Sequence, residues 1–193
     1  MVRYFSLVAE NSRQAVLVVL LTSFAFRGVL AALIPLGTDE AYAIAVGRSF
    51  SISFFDHPPL GFWLPALMEA VSNSIEPFII RIPSLLLGSF SLFLMYKIGR
   101  LVGDPQTGLI AMVCMAVSPI SLIGGVLMLP DAPLYAGLLA ATYYLLLLVN
   151  DNDDTWRNWI FGGAFVAVAL ASKYQAGLFV IATLLWLISS ADF

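Results

Sequence analysis

The chain has 193 residues, 61% of them hydrophobic and 11% charged, with 9 basic and 12 acidic side chains. A soluble domain is about half apolar and about a quarter charged, so the composition excludes a soluble globular protein. Lacking a basic patch, it also excludes a nucleic-acid binder. The single cysteine, Cys114, excludes a disulfide framework.

In chain order, the first apolar run covers 14–34. It is too long for the apolar region of a signal peptide, and no small-residue cleavage site follows, so it reads as a spanning helix. Arg27 lies inside it and requires a partner or a wet cavity. Residues 35–76 form the one long non-spanning segment, the first external loop. There Thr38 reads as a helix N-cap, with Asp39 and Glu40 in the favourable first turn and Tyr42, Val46 and Phe50 at helical spacing. From Pro59 to Ser72 a second short helix is expected, with Phe62, Trp63, Leu67 and Met68 as its apolar residues and a kink at Pro65. Both are expected to lie on the membrane surface. Further apolar runs follow at 78–98, 108–126, 132–149, 159–172 and 176–190, the fifth run of the chain being short, with a tight turn at Gly103-Asp104-Pro105-Gln106. The expected fold class is therefore all-α: one polytopic membrane domain over 1–193, with about six transmembrane helices and two short interfacial helices in the first external loop.

Loop charge sets the orientation. An inside N-terminus puts Arg3, Arg13, Lys97, Arg100 and Arg157 in the cytoplasm and Arg48, Arg81 and Lys173 outside; Asp151, Asp153 and Asp154 contribute little to the rule. This orientation places Asp39, Asp56 and Asp131 on the outer side together, as one shared site would require.

Each candidate has a plain structural role beside a chemical one. Asp39 and Glu40 suit a helix start, yet they directly follow a span and precede another acid cluster. Adjacent residues diverge by about 100° on a helix, so one of the two is expected to face a site. In Asp56-His57-Pro58-Pro59 the prolines fix the backbone leading into the next helix, and the only histidine of the chain stands beside a carboxylate. Such a pair orients an imidazole, shares a proton or contributes two ligands to a divalent metal, for which Asp39, Glu40 or Asp131 would have to join. Asp131, in Pro130-Asp131-Ala132-Pro133, suits an N-cap. Lys173 and Tyr174 suit a snorkelling cation and an interfacial ring; like Arg48 and Arg81, Lys173 also suits a phosphate.

At these residues the chain resembles the N-terminal part of the polyprenyl-phosphate-sugar-dependent glycosyltransferases of the GT-C fold. That superfamily includes protein O-mannosyltransferases and the lipid A aminoarabinose and galacturonic acid transferases. The resemblance rests on Asp39-Glu40-Ala41-Tyr42, Phe55-Asp56-His57-Pro58-Pro59-Leu60, Arg81-Ile82-Pro83 and Pro130-Asp131-Ala132-Pro133-Leu134, more weakly on Ser172-Lys173-Tyr174, and covers roughly 14–190. It implies a catalytic acid at Asp39, with Glu40 and Asp131 alongside, and acceptor or metal positioning by Asp56 and His57. It implies a polyprenyl-phosphate-linked sugar as donor, a lipid, glycan or protein acceptor, and inverting transfer on the periplasmic or external face of the cell's inner membrane. Arg48, Arg81, Lys173 and Tyr174 are the expected donor-binding residues, and a nearby cation suits the leaving lipid phosphate. No cofactor is implied beyond a possible divalent metal ion. Members of that superfamily carry more spans, so a fragment completed by a C-terminal part is expected.

Two other classes fit parts of the chain. A transporter or flippase would use the acids as a relay, but relay acids are expected in mid-span. A non-catalytic membrane subunit would use them only as helix caps.

Overall fold

The computed structural model describes residues 2–150 and 155–190, with side chains over 12–149 and 155–189. Asp151, Asp153 and Asp154 lie outside the described residues. Among the described residues the fold is all helix, with no strand.

The first helix, α1 (Val2–Leu33), starts well before the expected position 14, and its Ser12–Leu33 part is long and apolar enough to span a bilayer. After it come α2 (Thr38–Gly47) and α3 (Leu60–Ser72) of the first loop. The N-cap of α2 is Gly37 and not Thr38. The Glu40 carboxylate reaches back to accept from the Gly37 N–H at 2.9 Å, so the acid at the third helical position satisfies an orphan donor and Thr38 is drawn into the first turn. Pro65 lies within α3 without ending it, and the helix stops at Asn73, which adopts the left-handed conformation.

The run expected over 78–98 is divided. A four-residue turn, α4 (Pro77–Ile80), is separated by Arg81 from α5 (Ile82–Val102). The run over 108–126 is divided too, into α6 (Pro105–Val117) and α7 (Pro119–Gly124). Pro119 disfavours helical geometry at the residue before it, and Ser118 accordingly has ψ 127°. Then come α8 (Asp131–Asn150), α9 (Trp156–Leu170) and α10 (Ala176–Ser190). Three stretches are long and apolar enough to cross a membrane: Ser12–Leu33, Ile82–Val102 and Asp131–Val149. At 1.5 Å per residue α6, α9 and α10 reach only ~20–23 Å, short of the ~30 Å hydrocarbon core, so the expected six spans are not all matched by spanning helices.

Between membrane helices lipid removes the hydrophobic drive to associate, and close backbone approach takes its place. Gly99 of α5 meets Gly108 of α6 so closely that a Cβ on Gly99 would lie 2.8 Å from the Gly108 Cα, and Gly137 of α8 is pressed in the same way on α9. Toward the end of the bundle that carries α2 and α3 the packing changes character. Ala31, Leu85 and Val126 form one buried cluster; Ile44, Ile80 and Met128 form another. The second cluster fastens α2 and α4 onto the 125–130 connection, which is the floor of the acidic region.

Candidate active site

The centre of this region is a buried ion pair. Arg81 donates from Nε to Glu40 Oε1 at 2.8 Å and from Nη2 to Oε2 at 2.6 Å. Its remaining N–H groups point at the Ala31, Ile34 and Pro35 carbonyls, at 2.9, 2.6 and 2.9 Å. Those carbonyls belong to the frayed end of α1, where a helix leaves its last acceptors unsatisfied. Glu40 in turn accepts from the Gly37 and Met128 N–H groups, each at 2.9 Å. Glu40 is 1% exposed and Arg81 0%. Burial pushes the Glu40 carboxyl upward, but the Arg81 bonds and the two backbone N–H groups outweigh it, so its pKa lies below the ordinary glutamate value. One carboxylate and one guanidinium thus hold together the end of α1, the start of α2, the α4–α5 junction and the connection before α8. Neither has capacity left for a substrate.

With Glu40 turned inward, Asp39 faces the other way, as the ~100° between neighbours requires. It is exposed and has no hydrogen-bond or ion-pair partner among the described residues. Three positions along, on the same helix face, Tyr42 donates its hydroxyl to Asp56 Oδ2. That bond raises the Tyr42 pKa above its ordinary value. The loop carrying Asp56 is held by aromatic contacts: Phe54 and Tyr42 both pack on Phe62 of α3, with ring centroids 4.3 and 6.1 Å away. His57 is half-buried beside Asp56. Among the described residues no group of three or more His, Cys, Asp or Glu side chains stands close enough to hold a metal. Asp56 and His57 offer two donors, one already engaged by Tyr42, and a divalent ion does not fit them alone.

The prolines after His57 tie this loop to the far side of the bundle. Leu60 donates its N–H to the Ala171 carbonyl at 3.0 Å. Gly61 lies against Pro130, where a Cβ would come within 2.7 Å of the proline Cγ. Next to that contact Asp131, the first residue of α8, accepts from Lys173 Nζ at 2.9 Å; both side chains remain partly exposed, at 28% and 22%. Tyr174 is exposed at the same turn. The structure therefore brings Asp39, Tyr42 and Asp56 together through α2, and Asp131 and Lys173 together at the start of α8, joined by the 57–61 segment. Arg48 stands apart: it pairs with Glu69 of α3 at 2.5 Å. Tyr42 and Met128 escape a reading of the sequence alone. Tyr42 is signalled by its three-residue spacing from Asp39 and by its place in the Asp39-Glu40-Ala41-Tyr42 segment, neither of which marks its bond to Asp56, and Met128 participates through its backbone, which no sequence pattern marks.

Arg27 is buried in mid-span. Its Nη2 donates to Ser121 Oγ at 3.3 Å, while Nε and Nη1 have no hydrogen-bond partner among the described residues. A Cβ on Gly88 or Gly125 would lie 2.8 or 2.7 Å from Nη1, so those two glycines make the notch that admits it.

An unpaired, solvent-facing carboxylate on a rigidly anchored helix start suits a general base. A partly exposed lysine across a short connection suits an anionic leaving group. The family model of the dolichyl-phosphate-mannose-protein mannosyltransferases matches residues 56–192, which takes in Asp56, His57, Arg81, Asp131 and Lys173 but begins after Asp39. No curated protein and no solved structure gives a significant match. The three spanning helices and this match over most of the chain agree, and the chain belongs to the dolichyl-phosphate-mannose-protein mannosyltransferase family as a membrane glycosyltransferase of the mannosyltransferase type.

Proposed function

We propose that the protein transfers a sugar from a polyprenyl-phosphate donor to a hydroxyl of a lipid, glycan or protein acceptor, with inversion, on the external face of the inner membrane. The observation that carries this reading is the division of labour among four acids. Glu40 is held by Arg81, Asp56 by Tyr42 and Asp131 by Lys173; Asp39 alone of the four has no partner among the described residues.

Asp39 is the general base. Its carboxylate takes the proton of the acceptor hydroxyl as that oxygen attacks C1 of the sugar. The C1–O bond to the lipid phosphate breaks in the same displacement, its electron pair stays with the phosphate oxygen, and one displacement inverts C1. Lys173 faces the leaving phosphate and stabilises the charge that develops there. Asp131 positions Lys173, and Tyr42, Asp56 and His57 shape the acceptor side. Glu40 acts by fixing the direction of α2, and hence of Asp39.

Transfer from a labelled polyprenyl-phosphate sugar, in membranes carrying the protein or its Asp39→Asn variant at matched expression, tests the reading. Asn preserves size and capping ability, so the expected result is folded protein with transfer reduced by at least about a hundredfold, the usual contribution of a general base. Equal transfer by both proteins removes Asp39 from the mechanism.

A further inference from the structure

Between the C-terminal end of α2 and α3 lies an open groove of about 970 Å³ that the acidic site does not use. Its walls are apolar: Phe50, Trp63, Leu64, Leu67 and Ile75. One aromatic edge is rigid, since Trp63 stacks on Phe50 with centroids 5.2 Å apart and donates its indole N–H to the Ser51 carbonyl at 2.8 Å. Only two lining residues carry charge, Arg48 and Glu69, and they have opposite signs. Arg48 donates through Nε and Nη2 to Glu69, leaving its Nη1 without a partner among the described residues. Arg48 is 59% exposed and Glu69 20%, so both charges face the opening. Each also holds the other ionised: the hydrogen bond from Arg48 lowers the Glu69 pKa, and the bond to Glu69 raises that of Arg48.

The location fits an amphiphile. The groove ends at Asn73, Ser74 and Ile75, a few residues before the span-length helix that begins at Ile82, so a bilayer crossed by that helix would set the groove near its headgroups. Leu67 and Val71, four residues apart on α3, are exposed, as is Ile75 just beyond the end of that helix. A single positive charge would select an anionic headgroup. A matched pair selects one that carries both signs.

We propose that this groove seats a zwitterionic phospholipid of the phosphatidylethanolamine class. Its phosphate lies on Arg48 Nη1, its primary ammonium on Glu69, and an acyl chain along Phe50, Leu64, Leu67 and Ile75. The discrimination comes from the ammonium N–H groups. Phosphatidylcholine carries the same charges but has no N–H to donate to Glu69, and phosphatidylglycerol has a neutral glycerol in place of the ammonium, so no positive charge meets that carboxylate.

The test uses the protein freed of lipid in mild detergent and placed in nanodiscs holding equal parts phosphatidylethanolamine, phosphatidylcholine and phosphatidylglycerol with identical acyl chains. After brief re-extraction, retained lipid is identified by native mass spectrometry. Phosphatidylethanolamine retained about tenfold over phosphatidylcholine, the size of one charge-assisted hydrogen bond, is the expected result. Glu69→Gln abolishes that preference while far-UV circular dichroism stays unchanged, and Arg48→Gln weakens retention of all three lipids. Equal retention by the unaltered protein overturns the proposal, and this outcome needs no variant to fold. An unchanged preference in Glu69→Gln overturns it as well. So does disulfide crosslinking of Leu67→Cys between copies in a Cys114→Ser background with no lipid retained, since a second copy would then occupy the groove.

Discussion

Arg81 and Glu40 are 41 residues apart in sequence and joined by two parallel hydrogen bonds in the interior, each further bonded to backbone groups of other elements. Removing one partner of a buried pair strands the other's charge, at about 3–5 kcal/mol. Arg81→Ala and Glu40→Ala are each expected to destabilise by that amount, measured as thermal unfolding of the purified protein in detergent. The double variant is expected to lose markedly less than the sum, because it leaves no stranded charge. Additive losses would show that the pair is not a unit.

Acid should loosen the same joint. The Glu40 pKa is lowered in the folded protein, so its contribution is fully present above the ordinary glutamate value of 4.5 and is lost as pH falls through the lower folded value. Unfolding followed by circular dichroism on the acid side of pH 4.5 is expected to show this loss. Glu40→Gln, less stable at neutral pH, is expected to show a shallower acid dependence. A parallel dependence in both proteins would assign the acid sensitivity to other groups.

Tyr42 and Asp56 act as one element in the proposed acceptor site. Tyr42→Phe and Asp56→Ala are each expected to reduce sugar transfer by a similar factor, and the double variant no further, because either change removes the same hydrogen bond. A double variant that multiplies the two losses would separate their roles.

Glycine contacts give a test of the fold that is independent of activity. A Cβ on Gly47 would lie 2.4 Å from the Phe62 carbonyl oxygen, a backbone atom that cannot rotate away. Gly47→Ala is expected to destabilise by about 1–3 kcal/mol. At Gly163 of α9 a Cβ meets nothing within 4 Å. Gly163→Ala is expected to be neutral, or to gain up to ~1 kcal/mol of helix propensity. Equal melting shifts in the two variants would contradict the α2–α3 contact.

Much of the architecture was legible from hydropathy and a few polar residues. The apolar runs located α1, α5 and α8, and the loop signals located α3 to within a residue and the start of α2, although Phe50, expected on the α2 face, lies three residues past its end. Hydropathy could not show where an apolar run stops being one helix. The 108–126 run is continuous in character, yet Pro119 breaks it, and the Ser118-Pro119 step was the signal present in the sequence. Nor does spacing show which cation meets which acid. Arg48, Arg81 and Lys173 are equivalent in the sequence as positive charges beside apolar runs, and only the packing of α2 against α3 and α4 and of α8 against the α9–α10 turn assigns each to Glu69, Glu40 and Asp131. The choice between Asp39 and Glu40 likewise depends on where Gly37 and Met128 present their N–H groups.

The notch around Arg27 bears on how the protein is made. A guanidinium at the centre of a helix adds about 2.5–3.5 kcal/mol to the cost of leaving the translocon for lipid. The notch that receives it is assembled from Gly88, Ser121 and Gly125, all synthesised at least sixty residues later. The strongly apolar first segment enters the bilayer carrying an unmet charge, which gains its shelter only when the later helices arrive. An ordered biogenesis is the expected consequence, with the first helix awaiting its neighbours before it settles.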